Sequence, residues 1–69
     1  MRRTRVDSSA ISSVGYDERT SLLEVEFRSG AVYDYYDVPA KVWKDLRKAP
    51  SKGQFISRHV RDQYDFVRR

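Results

Sequence analysis

The fold is decided by residues 22–36, which read Leu-Leu-Glu-Val-Glu-Phe-Arg-Ser-Gly-Ala-Val-Tyr-Asp-Tyr-Tyr. Apolar and polar side chains alternate over residues 23–27, a pattern typical of a strand with one buried and one exposed face. A second alternation runs over residues 31–36, after a break at Gly30. The stretch therefore predicts a β-hairpin.

The length of the hairpin loop sets which side chains share a face. A two-residue turn would place Asp34 on the buried face, which is unfavourable for a carboxylate without a partner. A three-residue loop closed by Gly30 in the left-handed conformation, the G1-bulge type, instead pairs Val25 with Tyr33. We expect this second register, which puts Tyr33 and Tyr35 on the buried face.

One more strand precedes the hairpin. Val14 and Tyr16 alternate with polar residues, and a four-residue loop at 17–20 leads into the hairpin. This loop pairs Val14 with Leu23 and places Ile11 on the outer face. The three strands would form an antiparallel meander.

The outer face of this meander carries an unusual pair of carboxylates. The expected register sets Glu24 directly across from Asp34, and like charges in that position are unfavourable by about 0.2–1 kcal/mol. We therefore expect a basic group, such as a terminal arginine, to lie nearby.

An amphipathic helix follows the hairpin. Pro39 is suited to the first helical turn, and the helical pattern continues to Ala49. The apolar side carries Val42, Trp43 and Leu46, and basic residues cover the other side. We expect Trp43 to belong mostly to the core.

A second helix is predicted from Ser51 to about Asp62. Ser51 and Gln54 have the spacing of a capping box. His59 lies at helical spacing from Phe55, so we expect a packed, hydrogen-bonded imidazole. For residues 64–69 two alternatives stay open, a short edge strand and a packed extension.

These elements predict an α+β fold. Two helices would pack on one face of a three-stranded antiparallel meander, in the order β-β-β-α-α, with a short C-terminal edge strand as the open alternative. Residues 1–7 lack periodicity and are predicted to be a basic N-terminal arm that is either mobile or loosely docked. Residues 8–69 would form a single domain.

Composition narrows the class of protein. The chain has 69 residues and no cysteine, which excludes disulfides and thiolate zinc sites and suits a reducing compartment. It has no apolar run of membrane-spanning length, and the basic N-terminus is not followed by the apolar block of a signal peptide. We expect a soluble, cytoplasmic protein without a membrane partner.

Charge is distributed unevenly along the chain. The formal net charge is +4. Residues 1–38 hold five Arg and seven acidic residues, a net charge of −2, whereas residues 39–69 hold nine Lys or Arg and three acidic residues, a net charge of +6. Such a basic surplus favours a polyanionic partner, although a charged face also serves solubility.

The order of these features resembles a known family. The matching positions are Ser8, Ser9, Ile11, Val14-Gly15-Tyr16-Asp17, Leu23, Val25, Phe27, Gly30, Tyr33-Asp34-Tyr35, Val38-Pro39, Ala49, Ser51, Gly53, Phe55-Ile56, Arg61 and Tyr64. Over residues 6–68 the chain resembles the KTSC domain, a short bacterial module found at the C-terminus of some lysyl-tRNA synthetases and as a stand-alone protein. The resemblance implies a role in RNA binding, the usual suggestion for this family.

Catalysis and metal binding find little support in the residues. His59 is the only histidine, and no acid or nucleophile is spaced to work with it. The serines at 8, 9, 12, 13 and 51 are better explained as strand-end and capping residues. Carboxylates without ligand spacing do not suggest a metal site, and Gly30 and Gly53 do not form a phosphate loop. We expect a non-enzymatic binding module without a cofactor.

The predicted nucleic-acid-binding surface is the basic side of the two helices. Its residues are Lys41, Lys44, Arg47, Lys48, Lys52, Arg58 and Arg61. Arg2, Arg3, Arg68 and Arg69 could add to the same field. Contacts would be made mainly to phosphate, with strong salt dependence and little sequence choice. A solvated helix face is the alternative explanation of the same charges.

A protein-interaction module is the other functional hypothesis. The acidic outer face of the sheet, with Ile11, Val32 and Tyr36 among its carboxylates, could meet a protein partner, or an edge strand could pair with another chain. The sequence leaves the oligomeric state open.

Overall fold

The computed structural model describes residues 3–6 and 9–69, and within them the chain forms a five-stranded antiparallel sheet with helices on one face. The strands are β1 (Arg3–Arg5), β2 (Ile11–Asp17), β3 (Leu22–Phe27), β4 (Val32–Tyr35) and β5 (Phe66–Arg68). Between β4 and β5 lie the helices α1 (Ala40–Lys48) and α2 (Lys52–Phe55), and α2 continues as a π-helical turn (Ile56–Val60). The strand order is β1-β2-β3-β4-β5. The α+β class is as predicted, but the three-stranded meander is wrong.

The two additional strands are the short ones at the edges of the sheet. β1 pairs with β2, with Thr4 opposite Val14, although it lies in the segment predicted to be a mobile or loosely docked arm and not a strand. β5 pairs with β4, with Phe66 opposite Tyr35, so the edge strand is the alternative that holds for the tail. Every residue of both strands is exposed, which explains why their sequences lack the alternation of buried and exposed side chains that predicts a strand. Residues 1, 2, 7 and 8 of the predicted arm and domain start, including Arg2 and Ser8, lie outside the described residues.

The hairpin register is confirmed. Val25 lies opposite Tyr33 and Leu23 opposite Tyr35. Gly30 has a φ of +96°, and its N–H donates to the Phe27 carbonyl at 2.9 Å. A positive φ favours glycine, so the loop chemistry selects this register.

The pairing of β2 with β3 corrects two predictions. Val14 lies opposite Val25 and not opposite Leu23. The strands pair as far as Asp17 and Leu22, so the loop lies between these two residues and not at 17–20. The shift is two residues, so Val14 stays on the buried face. A β-bulge between Ile11 and Ser13 turns Ile11 into the core, where it is fully buried, so its prediction as an outer-face residue is wrong.

The helices begin as predicted. α1 follows Pro39, and Ser51 Oγ accepts a 3.3 Å hydrogen bond from the Gln54 N–H at the start of α2. The π-helical turn closes with the Arg61 N–H donating to the Ile56 carbonyl at 2.8 Å. This turn rotates the last residues of the helix relative to a regular α-helical continuation.

The core lies between the sheet and the helices. Its buried residues are Ile11, Val14, Leu23, Val25, Tyr35, Val38, Leu46, Ile56 and Val60. Trp43 is half-buried and stacks on Tyr16 with ring centroids 5.6 Å apart. None of the helices in the described residues is long and apolar enough to cross a membrane.

Candidate functional site

The cations predicted on α1 are exposed. Lys41, Lys44 and Lys48 are three and four residues apart, which places them along one side of the helix. Their ammonium groups form no ion pair with any residue that the structure describes. These three lysines, which we call the α1 lysine row, therefore present positive charge to solvent.

Two further members of the predicted set have contacts within the domain. The Arg47 guanidinium lies 5.7 Å from the centroid of the Trp43 ring, a cation–π geometry. Lys52 Nζ donates to the carbonyls of Arg47 at 3.0 Å and Ala49 at 2.6 Å. Lys52 thus satisfies carbonyls at the C-terminal end of α1, which makes its ammonium group a capping group.

Arg58 and Arg61 lie apart from the α1 lysine row. Arg58 lines a shallow depression beside Ala10 and Gly53, and Arg61 lies beside the inner face of the sheet. Asp45 and His59 line the space between α1 and the second helix. The structure therefore brings the α1 cations together but places Arg58 and Arg61 on other sides of the second helix.

His59 is exposed, so the prediction of a packed, hydrogen-bonded imidazole is wrong. Its ring contacts Phe55 with centroids 4.9 Å apart. The π-helical turn contains His59 and changes the positions of its side chains relative to a regular α-helix. The described residues contain no group of three or more His, Cys, Asp or Glu arranged to hold a metal ion.

The carboxylates on the outer face of the sheet are covered by arginines. Glu24 lies opposite Asp34, and both are buried, at 5% and 7% exposure. Arg69 bridges them, with Nη1 2.7 Å from Glu24 Oε1 and Nε donating to Asp34 Oδ2 at 2.9 Å. The expectation that a terminal arginine lies near this pair is confirmed.

Further contacts extend this network. Arg3 lies 3.9 Å from both Glu24 and Glu26, and Ser13 Oγ donates to Glu26 Oε1 at 2.9 Å. The hydrogen bond with Asp34 and the nearby carboxylates raise the pKa of Arg69 above its ordinary value. The outer face is therefore far less acidic than its strand sequences indicate.

The inner face of the sheet contains a groove that sequence reasoning missed. It lies between the sheet and the π-helical turn, has a volume of about 560 Å³, and we call it the aromatic groove. Its walls include Phe27, Tyr33, Tyr35, Phe66, Arg61 and Asp62. The helices cover Tyr35, which is 2% exposed as predicted, whereas Tyr33 is half-buried and Phe66 is 50% exposed.

The aromatic rings of the groove form a continuous row of ring–ring contacts. Phe27 meets Tyr33 edge-on at 5.3 Å, and Tyr33 stacks on Phe66 at 5.3 Å with an interplanar angle of 18°. Phe66 also lies 5.7 Å from Tyr35. This row of ring contacts depends on β5, because the pairing of β5 with β4 places Phe66 beside Tyr33 and Tyr35.

Polar groups of the aromatic groove surround Tyr35. Burial raises the pKa of the Tyr35 hydroxyl, the neighbouring Tyr33 raises it further, Arg61 opposes the shift, and Asp62 adds to it. Arg61 and Asp62 are both exposed, so the groove offers a cation, a carboxylate and a hydroxyl beside an aromatic wall.

Comparison with known proteins identifies the family. The sequence model of the KTSC domain family matches residues 7–64 of this chain. The chain belongs to the KTSC domain family. A crystal structure of a KTSC domain protein from Yersinia pestis superposes on this KTSC domain with a TM-score of 0.96 at 32% identity, covering 99% of this chain and 96% of that one.

Relatives of this KTSC domain are of two kinds. A protein from Tsukamurella paurometabola is 42% identical over 62 residues, and an uncharacterised protein from Stutzerimonas stutzeri is 41% identical over 64; the matches span 92% and 90% of their lengths. The lysine–tRNA ligase of Nostoc punctiforme is 40% identical over 60 residues, 87% of this chain. That match spans only 11% of the ligase.

Proposed function

We propose that this KTSC domain is a small, non-enzymatic, cytoplasmic binding module for RNA, which it holds mainly through phosphate contacts to the α1 lysine row. The observation that carries the proposal is the contrast between two sets of cations. Arg3 and Arg69 neutralise carboxylates of the sheet, whereas Lys41, Lys44 and Lys48 face solvent without an ion pair to any described residue.

Phosphate is the ligand group that suits such a row. Lysine ammonium groups bind phosphates as point charges, and counterion release from the nucleic acid supplies much of the affinity. Lysines without carboxylate partners need not break an ion pair to make these contacts. Binding of this kind should depend steeply on salt and weakly on base sequence.

The relatives support RNA as the polyanion. The lysine–tRNA ligase of Nostoc punctiforme, which contains a matching segment, is named for an action on tRNA. A module that contacts phosphates could hold tRNA beside such an enzyme. Other relatives match this chain over almost their full length, and in them the same chemistry would act in a small protein.

The proposal is tested by neutralising the row and measuring the salt dependence of binding. The test variant is K44Q/K48Q, and the matched control is R5Q/R19Q, which removes the same charge from exposed positions in β1 and in the β2–β3 loop. Fluorescence anisotropy with labelled tRNA and with a short single-stranded oligoadenylate, across a series of salt concentrations, gives the affinity and its log–log salt slope.

The expected slope for single-stranded RNA becomes shallower by about 1.4 in K44Q/K48Q, since each lost phosphate contact contributes about 0.7. The control should retain the wild-type slope. Equal weakening in both variants would mean that only net charge matters and that α1 is not the contact surface. Absence of binding by the wild type at low ionic strength would reject the RNA proposal.

A protein partner at the β5 edge is the second candidate. Val67 is 53% exposed on this edge strand, and exposed edges can pair with a strand of another chain. The acidic outer face is a poorer candidate because Arg69 and Arg3 already neutralise it. Loss of a specific protein partner in V67K, with the partner retained by K44Q/K48Q, would favour this candidate over RNA.

A further inference from the structure

The aromatic groove has the composition of a site for a flat ligand. Tyr33 and Phe66 are nearly parallel, and Phe66 remains half-exposed beyond this stack. Stacking of a nucleobase on an aromatic side chain is worth about 1–3 kcal/mol per base and tolerates any base, because every base has a π-face. A ring that enters the groove therefore finds an aromatic surface already positioned by β5.

The polar groups of the groove restrict the ligand further. Arg61 lines the groove as an exposed cation with no ion pair to any residue that the structure describes. Tyr35 also lines the groove, and the residue is almost fully buried. A purely aliphatic ligand would leave the Arg61 cation unpaired, whereas a ligand with an anion would pair with it.

We propose that the aromatic groove binds one unpaired nucleotide, whose base stacks on Phe66 and whose phosphate contacts Arg61. The Asp62 carboxylate, which lines the groove beside Arg61, would accept a hydrogen bond from the base edge. This inference rests on the proposed RNA function and adds to it a second contact surface, separate from the α1 lysine row.

The shape of the surface allows a nucleotide within a strand as well as a free one. Arg61, Asp62 and Phe66 also line a second, shallow groove that continues towards Tyr64 and Asp65. A strand that passed along this second groove would meet the carboxylates of Asp62 and Asp65 as well as Arg61, so its phosphate would have to lie on the Arg61 side while one base turns into the aromatic groove. Unpaired bases of single-stranded RNA are recognised by this kind of stacking.

The test uses two probes, adenosine monophosphate and a short single-stranded oligoadenylate. The main variant is F66L, which keeps an apolar side chain on β5 but removes the aromatic plane. F66W keeps the plane, and V67A changes the neighbouring residue of the same strand, on the opposite face of the sheet. Nuclear magnetic resonance titration with the monophosphate and anisotropy with the oligonucleotide measure binding, and thermal unfolding shows that each variant is folded.

We expect F66L to bind the oligonucleotide about 5- to 150-fold more weakly than the wild type, the range that loss of one stacked base predicts. F66W and V67A should bind like the wild type. R61Q should weaken binding and make the salt slope shallower by about 0.7. Wild-type resonances of Tyr33, Tyr35 and Phe66 should shift on addition of the monophosphate.

The outcomes separate this inference from the proposed function. If K44Q/K48Q weakens oligonucleotide binding and a folded F66L does not, the groove proposal is overturned and the RNA function stands. If the monophosphate binds in a Phe66-dependent manner and the oligonucleotide does not bind at low ionic strength, the groove is a site for a free nucleotide and the RNA proposal fails. If neither probe binds, both are rejected.

Discussion

Substitution of Tyr16 with phenylalanine tests how the sheet fixes the start of α1. The Tyr16 hydroxyl donates a 2.6 Å hydrogen bond to the carbonyl of Val38, a fully buried residue just before the helix. Phenylalanine keeps the ring that stacks on Trp43 at 5.6 Å, so the change removes the hydroxyl alone. The Val38 carbonyl would then lack any hydrogen-bond donor from the described residues.

The cost follows from the burial of that carbonyl. Loss of the net hydrogen bond, together with the desolvation of an acceptor left unpaired, is worth about 1–3 kcal/mol. In a domain of this size each kcal/mol lowers Tm by about 4–8 °C, so a loss of about 2 kcal/mol corresponds to a fall of about 8–16 °C. The slope of the free energy of unfolding against urea should stay the same, because the folded state keeps its compactness.

Circular dichroism during thermal and urea unfolding provides the measurement. The matched control is Y36F, which removes a hydroxyl from an exposed tyrosine on the adjoining segment. Surface changes of this kind usually alter the free energy of unfolding by less than about 0.5 kcal/mol. If Y16F were as stable as Y36F, the hydroxyl would not hold α1 to the sheet, and the assignment of Tyr16 as the anchor would be refuted.

Four further expectations concern stability. L46A empties a fully buried position and should lower the free energy of unfolding by about 2–5 kcal/mol in urea denaturation, whereas K44A, on the exposed side of α1, should have a small effect. K52M removes both hydrogen bonds to the end of α1 and should speed amide exchange in its last turn by about 2- to 10-fold. R69M should lower Tm more than R68M does, because Arg69, unlike Arg68, forms ion pairs with Glu24 and Asp34 in the described residues, and high salt should reduce the difference. The pKa of Tyr35 in the folded state is raised above 10.0, so the stability that the neutral hydroxyl contributes is complete below pH 10 and is lost as the pH rises towards the folded pKa. We therefore expect Y35F to remove this part of the alkaline destabilisation, as measured by urea titrations at successive pH values.

The central hairpin could be predicted because two independent constraints agree. The alternation of residues 23–27 requires one buried face, and the glycine at position 30 accepts the positive φ of the three-residue loop. A one-residue slip would have buried Asp34 among apolar side chains. Where a buried period and turn chemistry select the same register, local sequence is sufficient.

The edge strands could not be predicted by the same reasoning. Residues 3–5 and 66–68 are exposed throughout, so they contribute no buried period, and backbone pairing to the edges of β2 and β4 holds them in the sheet. The aromatic groove was missed for the same reason, because Phe66 joins Tyr33 only after β5 has paired. The alternation of aromatic and polar residues in 64–69 was the one signal of that groove, and it indicated a strand without indicating its neighbour.

The second helix shows a different limit of sequence reasoning. Its start was predictable because Ser51 and Gln54 form a local capping contact. A regular helical wheel placed His59 on the apolar side, but the π-helical turn over Ile56–Val60 changes the rotation per residue, and His59 is exposed. Charge alone predicts Lys52 to belong to the nucleic-acid surface, whereas its hydrogen bonds to the carbonyls of Arg47 and Ala49 show that it caps α1.

Charge asymmetry along the chain is therefore a poor measure of charge asymmetry on the surface. Residues 39–69 hold most of the basic surplus, but one of these cations, Arg69, returns to the outer face and joins carboxylates from β3 and β4. Arg3, from the other end of the sequence, joins the same network. Since both arginines pair with buried or partly buried acids, the outer face loses its acidic character, whereas the α1 lysine row has no carboxylate partner among the described residues. Under the RNA proposal, this separation of charge would reduce the negative field that opposes phosphate binding on the helical side, in a domain whose net charge is only +4.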